Sequence, residues 1–287
     1  MDSSQPEWLR SGLASRDRPA GAGDLRLRRP RAARRSRRGL LLGMGLAGAT
    51  VAGGAVLLPR ILADVAGLPG GWPRLGGGPA PTPAPARAPL AAPLTYVVVG
   101  ASDAVGMGTR DPAREGWVPL LTQQLPPGTR VVNLGVPGIA LHDAVDQVLP
   151  RAIAARPGLV TVWLVVNDVL AGVPLDRYRA DLERLIGGLR DGTPAEIVLG
   201  NLPDPPGNMG GVQVPAFVRR TIIGQWNDAI AATARANGAI LVDLYRRWPV
   251  GEHPEFIGPD GLHPTAAGYR SLADVFAATL REARLLA

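Results

Sequence analysis

The sequence predicts an α/β fold: a three-layer sandwich on a five-stranded parallel sheet, occupying residues 94–287. Three observations predict it. Five short apolar runs are near-continuous, as strands covered on both faces require. Five helical patterns alternate with them, as in parallel βαβ units. Chemically active residue types fall just beyond the ends of the runs, where open α/β sheets bind ligands.

The first run, Thr95 to Val99, is rich in β-branched residues and closes at Gly100; a helix follows over Trp117 to Leu125. The second run is Arg130 to Leu134, ending at Gly135, with a helix over Ala140 to Ala155 after it. Leu159 to Val166 forms the third run, and Leu175 to Leu189 its helix. The fourth is Glu196 to Gly200. The loop Leu202 to Gly211 is too rich in Gly and Pro for regular structure and reads as a lid or rim beside a site. A helix over Phe217 to Ala236 leads to the fifth run, Ala239 to Asp243. In the last helix, Thr265 to Ala287, the residues Leu272, Ala273, Phe276, Leu280 and Ala283 recur at helical spacing. Tyr269 and Arg270 read as surface residues of that helix. Trp117, Met107 and Trp163 fit a pocket wall, the core or plain surface equally well.

Three segments precede the domain. Residues 1–38 carry eleven Arg against four acids, the whole of the formal charge of +7, while 39–287 balance at 20 Arg and 20 acids. A basic tail can meet nucleic acid or anionic lipid. Here it abuts the uncharged run 39–59, so no nucleic-acid partner is expected. That run has 21 residues, about 30 Å as a helix, the thickness of a bilayer core. It fits an uncleaved transmembrane anchor or a removed export signal; a buried soluble helix is the third reading. Ser36-Arg37-Arg38-Gly39-Leu40-Leu41 resembles a twin-arginine export motif. Arg on the leading side predicts a cytoplasmic N-terminus, a membrane partner through this segment, and a domain outside the cytoplasm. Residues 60–93 are a Pro/Gly/Ala-rich linker, punctuated by Pro73, Pro79, Pro81, Pro83, Pro85, Pro89 and Pro93.

Composition excludes several chemistries. There is no Cys, so no disulfide, thiolate metal site or Cys nucleophile. There is no Lys either, since all 31 basic residues are Arg; a P-loop lysine and a Ser-Lys dyad are ruled out. His142, His253 and His263 are the only histidines and no His-Glu-x-x-His occurs, so neither a metal nor a cofactor is expected. Gly100-Ala101-Ser102-Asp103-Ala104 lacks the final Gly of a nucleophile elbow.

The run ends carry a particular set. Ser102 follows the first among glycines, where a hydroxyl can stand exposed; a helix N-cap is the bland alternative. Gly138 follows the second and Asn167 the third, offering a backbone N–H and a side-chain amide to an oxyanion, or else serving as turn residues. Asp260-Gly261-Leu262-His263-Pro264 follows the fifth. An Asp three residues before a His can bring its carboxylate to Nδ1 and fix the tautomer, though alone this also fits a capping Asp beside a surface His. It is the four together, in order, that carry weight.

At these four blocks the sequence resembles the SGNH hydrolases, also called the GDSL esterase/lipase family, over roughly 94–286. The resemblance implies a flavodoxin-like sandwich with strand order 2-1-3-4-5. It implies Ser102 as nucleophile, His263 as general base and acid, and Asp260 as the group orienting it. It gives the oxyanion hole to Ser102, Gly138 and Asn167. Ala101 stands where the Gly-Asp-Ser signature has Asp, and Val165 where the Gly-x-Asn-Asp block has Gly; Asp103 is the candidate to compensate. The expected activity is hydrolysis of a small-molecule or glycan acyl ester. Acyl transfer to a cell-envelope glycan and a non-catalytic binding module with a relict site remain open.

Overall fold

The computed structural model describes residues 87–287 except 205–207, 210–211 and 214–215. The basic tail, the 39–59 segment and the linker up to residue 86 lie outside the described residues. No described helix is long and apolar enough to cross a membrane.

The strands are β1 (Thr95–Gly100), β2 (Arg130–Asn133), β3 (Leu159–Trp163), β4 (Glu196–Gly200), β5 (Asn208–Met209), β6 (Val212–Gln213) and β7 (Ile240–Val242). The main sheet has the order β2-β1-β3-β4-β7, and all pairings within it are parallel. The expected α/β class and five-stranded parallel sheet are therefore present. Register sets Gly100 beside Trp163 and Val98 beside Asn133, so β1, β2 and β3 end next to one another.

The helices are α1 (Pro112–Glu115), α2 (Trp117–Thr122), α3 (Leu141–Gln147), α4 (Leu149–Ala154), α5 (Val166–Leu170), α6 (Leu175–Gly192), α7 (Ala216–Ala236), α8 (Leu244–Arg247) and α9 (Ala266–Glu282). The crossover from β1 to β2 runs one way across the sheet and all later ones the other way. Right-handed crossovers therefore put α1 and α2 on one face and α3, α4, α6 and α7 on the other. α9 joins the first face by packing on α2, with Trp117 stacked on Phe276 at 4.8 Å between centroids.

Both central strands are buried throughout their apolar runs, from Tyr96 in β1 and along all of β3. This is why those runs do not alternate. The polar atoms inside the sheet are paired: Tyr96 Oη and Thr161 Oγ1 lie 2.9 Å apart. Arg87 bridges Glu196 and the Gly238 carbonyl, and the Leu90 N–H donates to the Leu285 carbonyl, so the chain enters β1 along the domain surface.

The elements differ from expectation in three places. The expected Ala140–Ala155 helix is two, α3 and α4, because Pro150 needs a first-turn position. The third run stops being strand at Trp163, and Val166 opens α5. The Gly-rich loop after β4 contains the antiparallel pair β5 and β6, with Asn208 beside Gln213 and Met209 beside Val212. Of the readings left open for Trp117 and Trp163, the structure takes the core: both are buried.

Candidate active site

The loops and helix starts beyond β1, β2, β3 and β7 build the site at the carboxyl edge of the sheet. β1 is where strand order reverses, so the loops beyond it diverge and leave a crevice.

Ser102 lies in a turn closed by two backbone bonds, Met107 N–H to the Ser102 carbonyl and Gly106 N–H to the Asp103 carbonyl, both 3.0 Å. The adjacent Asp103 carboxylate accepts the Ala101 N–H at 3.3 Å and the Trp117 indole N–H at 3.2 Å. The buried Ala101 is thus held by a carboxylate two residues on, although the signature Asp is missing at 101. Burial pushes the Asp103 pKa up to about 6, against the pull of those two donors.

His263 reaches this turn from the other end of the domain. Its Nε2 lies 2.9 Å from Ser102 Oγ, across 161 residues of sequence. Its Nδ1 lies 2.6 Å from Asp260 Oδ2. A carboxylate only accepts, so Nδ1 carries the proton and Nε2 is left to accept from the Ser102 hydroxyl. Asp260 Oδ1 also accepts the N–H groups of Leu262 and His263, each at 3.0 Å. Burial raises the Asp260 pKa, but the His263 ring and those two N–H donors outweigh it and hold the carboxyl below its usual range.

Gly138 adopts φ +77°, a left-handed conformation suited to glycine, in the loop between β2 and α3. Asn167 sits in the first turn of α5, and its Nδ2 donates to the Ile139 carbonyl at 2.9 Å. That bond uses one of its two N–H groups and ties it to the residue after Gly138. Neither the Ser102 N–H nor the Gly138 N–H donates to an acceptor among the described residues. Val165 takes φ −149°, open to any residue, so no glycine is needed there. The structure therefore brings Ser102, Asp260 and His263 together and links Asn167 to the Gly138 loop.

Two supporting residues fall outside the expected site. Asp168 is buried and accepts the Leu141 N–H at the start of α3. Tyr269, read as a surface residue, is fully buried and donates to the Met107 carbonyl at 2.7 Å. Its position three and four residues before Leu272 and Ala273 puts it on the buried stripe of α9. That periodicity was available in the sequence.

Fold and site together define an α/β protein with a Ser-His-Asp chain of contacts at the carboxyl edge of a parallel sheet. Residues 98–271 match the model of the GDSL-like Lipase/Acylhydrolase family, and the chain belongs to that family. Over 55 residues it is 46% identical to a GDSL lipase of Mycobacterium tuberculosis, a match spanning 17% of this chain and only 22% of that relative. Among solved structures, TesA is 25% identical with a TM-score of 0.56, over 66% of this chain and 99% of that one. A catalytic mutant of the acetylxylan esterase Axe2 of Geobacillus stearothermophilus, 23% identical, superposes with a TM-score of 0.55 over 68% of this chain and 95% of that one. The psychrotrophic esterase EstA of a Pseudoalteromonas species, 18% identical, gives 0.53 over 66% and 97%. The last two likenesses concern the fold alone.

Proposed function

We propose that this protein hydrolyses acyl esters through an acyl-enzyme on Ser102. One observation carries the reading: the 2.9 Å contact of Ser102 Oγ with His263 Nε2, continued at 2.6 Å from Nδ1 to Asp260. His263 takes the hydroxyl proton as Oγ attacks the ester carbonyl, and Asp260 stabilises the imidazolium. The oxyanion is received by the N–H groups of Ser102 and Gly138 and by the Asn167 amide. His263 then protonates the leaving alcohol. Water, deprotonated by the same imidazole, attacks the acyl-enzyme and releases the acid.

The uncharged 39–59 segment behind a run of arginines supports a reaction outside the cytoplasm, and the family supports a small-molecule or glycan ester as the substrate. Protease digestion of intact cells should remove the domain while a cytoplasmic marker survives.

A fluorophosphonate probe tests the mechanism. The wild type should label at Ser102 and hydrolyse p-nitrophenyl acetate, and Ser102→Ala should do neither. Folded wild-type protein that resists both reagents overturns the reading.

A further inference from the structure

The structure assigns Tyr269 a positioning role: its buried hydroxyl, on the helix that follows His263, holds the turn of Ser102 at hydrogen-bond distance from His263. This rests on the reading of Ser102 as nucleophile.

A closed circuit of contacts carries it. Tyr269 Oη donates to the Met107 carbonyl at 2.7 Å. The Met107 N–H donates to the Ser102 carbonyl at 3.0 Å. Ser102 Oγ meets His263 Nε2 at 2.9 Å. From His263 the chain passes Pro264 and Thr265, whose hydroxyl caps α9 by accepting the Gly268 N–H, and one residue later is Tyr269. The nucleophile turn and the base are thus gripped by one helix end. A second contact runs beside the first: a Cβ on Gly108 would lie 2.5 Å from the Pro264 carbonyl oxygen, so the turn is seated against the backbone of the base.

The hydroxyl is kept a donor. Burial, then the charges of Asp103 and Asp260, push the Tyr269 pKa well above its usual value. α9 itself is anchored by Phe276 on Trp117, and the Trp117 indole N–H also holds Asp103 beside Ser102. Among the described residues, the hydrogen bonds of the Met107 backbone are two, the one from Tyr269 and its own N–H to the Ser102 carbonyl.

The test is Tyr269→Phe, with Tyr96→Phe as a matched control that loses a buried hydroxyl at the far end of the sheet. Both variants should fold and melt at similar, slightly lowered temperatures. Tyr269→Phe should lower kcat for p-nitrophenyl acetate and the rate of fluorophosphonate labelling together, by about tenfold or more, with KM unchanged. Tyr96→Phe should leave both rates within twofold of wild type. Equal rates in the two variants overturn the positioning role while leaving the nucleophile intact. A wild type that does not label at all overturns the nucleophile instead.

Discussion

Asp168 holds the N-terminus of a helix that is not its own: its carboxylate accepts the Leu141 N–H at 3.0 and 3.3 Å. The bond ties α5, which carries Asn167, to the loop that carries Gly138. Burial pushes the Asp168 pKa from 3.8 up to about 6, against the Leu141 bond and with Asp181 and Asp143 adding to the rise.

That shift fixes the sign of a pH effect. The folded state binds the Asp168 proton more tightly than the unfolded state, so between pH 4 and 6 this group lowers stability as pH rises. Asp168→Asn keeps an oxygen for Leu141 and removes the charge. Its stability relative to wild type should therefore improve by on the order of 1–3 kcal/mol as pH rises through this window. Urea denaturation of both proteins at several pH values measures it. A constant difference between them contradicts the prediction.

Asn167→Ala removes a donor that would meet the oxyanion and the bond to the Ile139 carbonyl. By comparison with other oxyanion donors, kcat should fall by about 10²–10³ with KM little changed. Steady-state rates on a short ester decide it. A loss below about threefold would make Asn167 only a tie between two loops.

Asp260→Asn should be more damaging than its surface position suggests. The Asn amide can donate to Nδ1, which moves the ring proton to Nε2 and leaves nothing to accept from Ser102 Oγ. A fall in kcat of about 10⁴ is expected, with fluorophosphonate labelling slowed in parallel and an unchanged circular dichroism spectrum. A loss under about tenfold would mean that other groups fix the imidazole.

The sheet was legible because both faces of β1 and β3 are covered, so their runs are apolar without alternation. The same signal misled at the end of β3. Leu164 and Val165 are also buried, and apolar character does not separate a buried strand from the start of a buried helix. The candidate site was legible as residue types at strand ends, because those positions lie at one edge of a parallel sheet. What composition could not carry was the support behind them. Asp168 and Tyr269 act through bonds to the backbone of Leu141 and Met107, and any residue presents that backbone. Asp103 differs, since its closeness to Ser102 suggested that it replaces the Asp absent at 101, and its carboxylate does accept the Ala101 N–H.

Gly108 offers a way to move the imidazole without substituting it. Its φ is +96°, and a Cβ there would lie 2.5 Å from the Pro264 carbonyl oxygen and 2.9 Å from His263 Cβ. Gly108→Ala must push the 263–264 backbone away and lengthen the path from Nε2 to Ser102 Oγ. Gly128 is the proper comparison: it has φ +78° but nothing within 4 Å of its Cβ position. Both alanines should cost about 1–2 kcal/mol of stability from the left-handed backbone. Only Gly108→Ala meets the base, so only it should lose kcat, by about tenfold or more. If thermal melts and rates fall alike in both variants, the clash is relieved elsewhere, and the distance between imidazole and hydroxyl does not depend on this contact.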